Sequence, residues 1–90
     1  MARTARVGDV VLVAVDPATN NGAKTAPAIV TRTWSGTSIN VRVLHDNDVP
    51  IEWRCSLVHA DVLPDSAPDN PDAAWKYRWT WPSTPDADAS

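Results

Sequence analysis

The chain has 90 residues, a formal net charge of −3 and a single cysteine, Cys55. That length holds one small domain, one cysteine excludes a disulfide within the chain, and no apolar run approaches the roughly 20 residues of a membrane span, so no membrane partner is expected. Residues 1–60 carry six basic and five acidic side chains and residues 61–90 two and six; with a body this close to neutral, no duplex-DNA binding is expected.

Met1-Ala2-Arg3-Thr4-Ala5-Arg6 lacks the apolar stretch of a signal peptide, which leads to the expectation of a soluble, cytoplasmic protein. Eight prolines against three glycines argue against a helical bundle. The first apolar run, Val10-Val11-Leu12-Val13-Ala14-Val15, is short and β-branched and predicts a strand buried on both faces. Asp16-Pro17 ends it, and Asn20-Asn21-Gly22 marks a turn-rich loop over 16–26.

Pro27 to Trp34 predicts a second strand and Ser38 to Leu44 a third, joined by a hairpin at Ser35-Gly36-Thr37. Two registers are compatible with this hairpin. One pairs Val30 with Val41. The other pairs Ile29 with Val43 and Thr31 with Val41, and it is favoured because it sets Arg32 beside Asn40 instead of Ile39. After a polar turn at His45 to Pro50, Ile51 to Val58 alternates cleanly. Ile51, Trp53, Cys55 and Leu57 are expected on the apolar face, with Glu52, Arg54 and Ser56 opposite.

Asp61-Val62-Leu63-Pro64 fits a single 3₁₀ turn. Residues 64–72, rich in proline and aspartate, read as a linker between a barrel body at 1–63 and an aromatic segment at 73–82. In that segment Trp75, Tyr77, Trp79 and Trp81 alternate with Lys76, Arg78 and Thr80. A strand over 73–82 would put four rings on one face. Residues 83–90 are small and acidic and predict a disordered tail.

Four short strands, tight turns and a last strand after a linker predict an all-β fold, a single SH3-like small barrel of about five strands. The segments Gly8-Asp9-Val10-Val11, Pro27-Ala28-Ile29-Val30, Val41-Arg42-Val43-Leu44 and Ser56-Leu57-Val58 resemble the SH3-like superfold with its Tudor and PWWP relatives. Methyl-lysine recognition is not implied, because Ala23-Lys24-Thr25-Ala26 offers no aromatic cage in the first loop. Pro27-Ala28-Ile29-Val30-Thr31-Arg32, Val41-x-Val43 and the late Trp79-Thr80-Trp81-Pro82 resemble a group of small uncharacterised proteins of tailed phages and prophages. That resemblance implies a phage-encoded protein, in the host cytoplasm or the virion, and brings no activity with it.

The aromatic strand has three readings. Its rings complete the barrel's own core; the linker lets the strand add to a neighbouring barrel and make a homo-oligomer; or the rings stack on bases or sugars while Lys76 and Arg78 meet phosphates. Arg32, Arg42 and Arg54 with Trp34 can line an anion site, against the plainer reading of a solvated face with an Arg42–Glu52 cross-strand pair. Cys55 reads as a small buried hydrophobe rather than a nucleophile served by His45 or His59. His59 beside Asp61 reads as a surface pair.

Asp16 to Gly22 fails the calcium-loop pattern, since position 18 is alanine, and no Cys/His zinc spacing exists, so no metal or cofactor is expected. The sequence points to a non-enzymatic interaction or assembly module, acting on itself or on a virion or host protein. The alternative is a binder or sequestering protein for a nucleotide-like anionic ligand. Candidate contact residues are Arg32, Trp34, Arg42, Arg54, Trp75, Tyr77, Arg78, Trp79 and Trp81.

Overall fold

The computed structural model describes residues 4–35, 37–66 and 73–82. Its strands are β1 (Val10–Ala14), β2 (Thr25–Thr33), β3 (Ser38–Val43), β4 (Glu52–His59) and β5 (Arg78–Thr80), with 3₁₀ turns at Pro17–Thr19 and Ala74–Tyr77. They form a closed barrel in chain order. Strand β5 closes it, running antiparallel to β1 and parallel to β4. This is an all-β, SH3-like small barrel of five strands.

Period-two alternation fills the interior. Val11 and Val13 from β1, Ala26, Ala28 and Val30 from β2, and Ile39, Val41 and Val43 from β3 share one core with Val15, Leu57 and Trp79. Phenylalanine is absent, so Trp79 supplies the one large ring of that cluster. Its indole N–H donates to the Thr37 carbonyl at 2.8 Å, which satisfies the polar end of a buried ring.

The expectation that β1 is buried on both faces holds only for its inner side: Val10 is exposed and Leu12 half-buried. The β2–β3 hairpin uses both registers. Val30 opposes Val41 in the body, while Arg32 opposes Asn40 near the turn, with a bulge between Val30 and Arg32. One extra residue on β2 lets each half take its own best partner.

A second bulge overturns the expected faces of β4. Ile39 opposes Leu57 but Val41 opposes Arg54, so two steps on β3 face three on β4. Ser56 takes a left-handed conformation there (φ 61°). The parity of β4 switches across the bulge. Leu57 points into the core as expected, but Arg54 is turned inward and is 5% exposed, while Trp53 and Ile51 are turned out. Cys55 sits half-buried at the bulge, outside the core where it was expected.

The aromatic segment also departs from a flat strand. Ala74–Tyr77 is a 3₁₀ turn and β5 spans only Arg78–Thr80. The four rings therefore do not share a face: Trp75 and Trp79 are buried, Trp81 is half-buried and Tyr77 is exposed. The physical reason is Arg54, whose guanidinium lies 5.6 Å from the Trp75 ring centre and donates to the Lys76 carbonyl. A turn delivers both groups to it; an extended strand would carry them past. Asp61-Val62 forms a bend and not the expected 3₁₀ turn. The expected tail 83–90 and most of the expected linker 64–72 lie outside the described residues.

Candidate functional site

Strand register lays out the barrel's outer surface. Val10 opposes Ile29, Ile29 opposes Arg42, and Arg42 opposes Trp53. These four outward side chains form one row across β1, β2, β3 and β4, and all four are exposed. Trp53 is 52% exposed, a large ring standing on an uncovered sheet. The Arg42 guanidinium has no ion pair or hydrogen bond among the described residues. The expected Arg42–Glu52 pair is absent because Glu52 opposes Val43 and turns toward the interior.

The same face continues toward the β2–β3 turn. Trp34 is 54% exposed yet fixed. Its indole N–H donates to Asn40 Oδ1 at 2.8 Å, and the same oxygen accepts from the Ser56 backbone N–H at 2.9 Å. Asn40 thus ties the β4 bulge to the ring. The Arg32 guanidinium lies 4.0 Å from the centre of that ring, a cation–π stack. Three expected contact residues, Arg32, Trp34 and Arg42, share this face.

Trp53 also belongs to a second feature. A shallow groove of about 280 Å³ runs between β4 and the 74–77 turn, lined by Glu52, Trp53, Arg54, Cys55, Lys76 and Tyr77. Two half-exposed rings, Trp53 and Tyr77, line it. A smaller hollow of about 150 Å³ lies by Trp75 and Lys76, bordered by Asp16 and Ala73.

Beneath the groove, Arg54 acts as a clip. Nε and Nη2 donate to the two carboxylate oxygens of Glu52 at 2.9 and 3.2 Å. Nη1 donates to the Ala14 carbonyl at 2.8 Å and the Lys76 carbonyl at 3.4 Å. One guanidinium therefore joins the end of β1, the start of β4 and the turn before β5. Burial alone would raise the Glu52 pKa, but the Arg54 hydrogen bonds and charge, helped by His45 and Lys76, win and hold it below the usual value of 4.5. His45 Nε2 stands 3.5 Å from Glu52 Oε1.

Of the remaining expected contacts, Trp75 and Trp79 face the interior. Trp81 packs against the core, edge-on to Trp79 at 5.0 Å between ring centres. Tyr77 borders the groove, and Arg78 is half-buried and donates to the Tyr77 carbonyl at 3.1 Å. His59 stands 4.0 Å from Asp61 and edge-on to Trp79 at 4.8 Å. Trp53, Ile29 and Val10 complete the outer face, and sequence pattern alone does not place them there. Strict alternation puts Trp53 in the core, and no local signal at Ser56 announces the bulge that turns it out.

Among the described residues, no group of three or more His, Cys, Asp or Glu side chains could hold a metal ion, and no helix is long and apolar enough to cross a membrane. Compared with protein-family models, with curated proteins and with solved structures, the chain finds no match.

Proposed function

We propose that this barrel is a non-enzymatic protein-interaction module and that a protein partner docks on the outer face of β1 to β4. The observation that carries this reading is the exposed cross-strand row Val10–Ile29–Arg42–Trp53. Single exposed apolar side chains are ordinary, but a contiguous set marks an interaction surface. Tryptophan and arginine are the residue types that concentrate binding energy at protein interfaces. The face is also held in shape beforehand, since Asn40 fixes Trp34 and backbone pairing fixes the rest, which lowers the ordering cost of association.

A displayed library of random dodecapeptides, selected on the folded protein, tests the reading. Enriched peptides should lose binding to Trp53→Asp and Ile29→Asp variants that still unfold cooperatively. Peptides indifferent to both substitutions would place recognition elsewhere. The finer reading is a phage-encoded module that assembles with itself or docks on a virion or host protein. It is supported by the Ala28-Ile29-Val30-Thr31 and Trp79-Thr80-Trp81-Pro82 motifs. Light scattering across a concentration series tests self-assembly, and a strict monomer removes that version.

A second reading is a nucleotide-like anionic ligand held in the groove. Trp53, Tyr77 and Lys76 line that one space, a set of residues suited to stacking a base beside a phosphate. Titration with linear and cyclic nucleotides, followed by tryptophan fluorescence, should show a saturable change. A flat response across the panel sinks it.

A further inference from the structure

We infer that the docking partner presents an apolar or aromatic anchor flanked on both sides by carboxylates, an inference that rests on the docking reading above. The anchor's place is the 280 Å³ groove, where Trp53 and Tyr77 are 52% and 48% exposed. Trp53 joins the two surfaces, because it ends the cross-strand row and also lines the groove. A segment crossing the row at Val10 and Ile29 reaches this groove without leaving the surface.

Charge decides what flanks the anchor. The groove contains one anion, Glu52, and both of its carboxylate oxygens are taken by Arg54. That pair is neutral as a unit, which leaves Lys76 as the groove's net charge. Arg42 stands on the opposite side of Trp53, directly across from it on β3. Neither cation forms an ion pair with a carboxylate among the described residues. Two cations without a carboxylate in ion-pair range therefore stand on either side of one exposed ring, Lys76 with its Nζ 5.6 Å from the centre of the Trp75 ring, and a third, Arg32, lies farther along the face against Trp34. Arginine favours a bidentate carboxylate and lysine a point contact. The complementary segment reads acid, apolar or aromatic, acid.

Single-stranded nucleic acid also uses rings and cations, but it fits this face less well. The aliphatic side chains of Val10 and Ile29 offer no stacking surface, and a net charge of −3 opposes a polyanion. Carboxylates on a short segment meet the local cations without bringing a long run of negative charge.

The peptides enriched from the dodecapeptide library provide the test. Aspartate or glutamate should be enriched on both sides of one aliphatic or aromatic position. Arg42→Gln and Lys76→Gln should each weaken the strongest synthetic peptide about tenfold, the size of one charge-assisted pair. The same substitutions should leave the Asn/Gln version of that peptide unchanged, and Arg42→Glu should prefer a version with lysine in place of its acid. Peptides that need Trp53 but carry no acids, or that ignore Arg42 and Lys76, overturn the inference and leave the docking reading standing. Peptides indifferent to Trp53 as well overturn both. A fluorescein-labelled oligothymidylate that binds more tightly than every peptide, and is lost with Trp53→Asp, overturns the inference in favour of nucleic acid.

Discussion

The interior around Trp79 and Arg54 and the outer face around Trp53 and Arg42 are built from the same two residue types put to opposite uses. Inside, both residues find partners for their polar ends: Trp79 donates to Thr37, and Arg54 reaches Glu52, Ala14 and Lys76. Outside, Trp53 and Arg42 stand opposite each other across β3 and β4 with half or more of the ring in solvent. Residue type does not separate structural from recognition roles in this barrel. Satisfaction does: the buried pair has its contacts within the fold, and the exposed pair has contacts left to make.

The largest expected effect lies at Trp79. It fills the core that β5 closes and is 1% exposed. Trp79→Ala should cost about 3–5 kcal/mol in denaturant unfolding, the usual cost of removing a large buried ring. Survival of most of the stability would mean that β5 is not needed to close the barrel. Arg54→Met comes next, at about 2–4 kcal/mol. It strands Glu52 and two carbonyls, and the partial exposure of Glu52 keeps the cost below that of a fully buried pair. A loss under about 0.5 kcal/mol, typical of a surface site, would contradict the role of Arg54 as the clip between β1, β4 and the 74–77 turn.

A pH series sharpens the same contrast from the carboxylate side. The folded-state pKa of Glu52 is held below its usual value, so its contribution to stability is fully present above the unfolded-state pKa. It is lost as pH falls through the folded-state value. Unfolding free energies measured from about pH 6 down to about pH 3 should fall more steeply for the natural chain than for Glu52→Gln, with the gap narrowing at the acid end. Parallel curves would show that the Arg54 contact does not favour the ionised carboxylate.

The barrel is legible in the sequence because β-branched runs and the turn signals between them give the strands and their order, and the alternation of Ile39, Val41 and Val43 gives the inner face of β3. The inner face of β1 is not legible, since Val10 to Val15 is apolar throughout. The candidate face is half legible. Arg32, Trp34 and Arg42 stand out in the sequence, but alternation exchanges Trp53 and Arg54. Period-two reading assumes an unbroken ladder, and one added residue opposite Asn40 reverses every assignment N-terminal to it. Serine at position 56 has little intrinsic preference for the left-handed conformation it takes, so the bulge has no residue-level marker. The 75–81 alternation misleads in a related way. A turn places Trp75 over Arg54 because a buried guanidinium needs acceptors, a demand visible only once Arg54 is known to be inside.

The smallest stability effect should come from the outer face, and that makes it the most discriminating measurement. Arg42→Gln removes a cation with no partner among the described residues, so unfolding should change by no more than about 0.5 kcal/mol. Its peptide affinity should nonetheless fall about tenfold, as one charge-assisted pair requires. The buried arginine should show the reverse weighting, with stability lost first and binding lost only as the 74–77 turn detaches. If Arg42→Gln destabilised the barrel as much as Arg54→Met, the outer arginine would be structural too, and the distinction between a buried arginine with partners in the fold and an exposed one without them would fail at the residue on which it most depends.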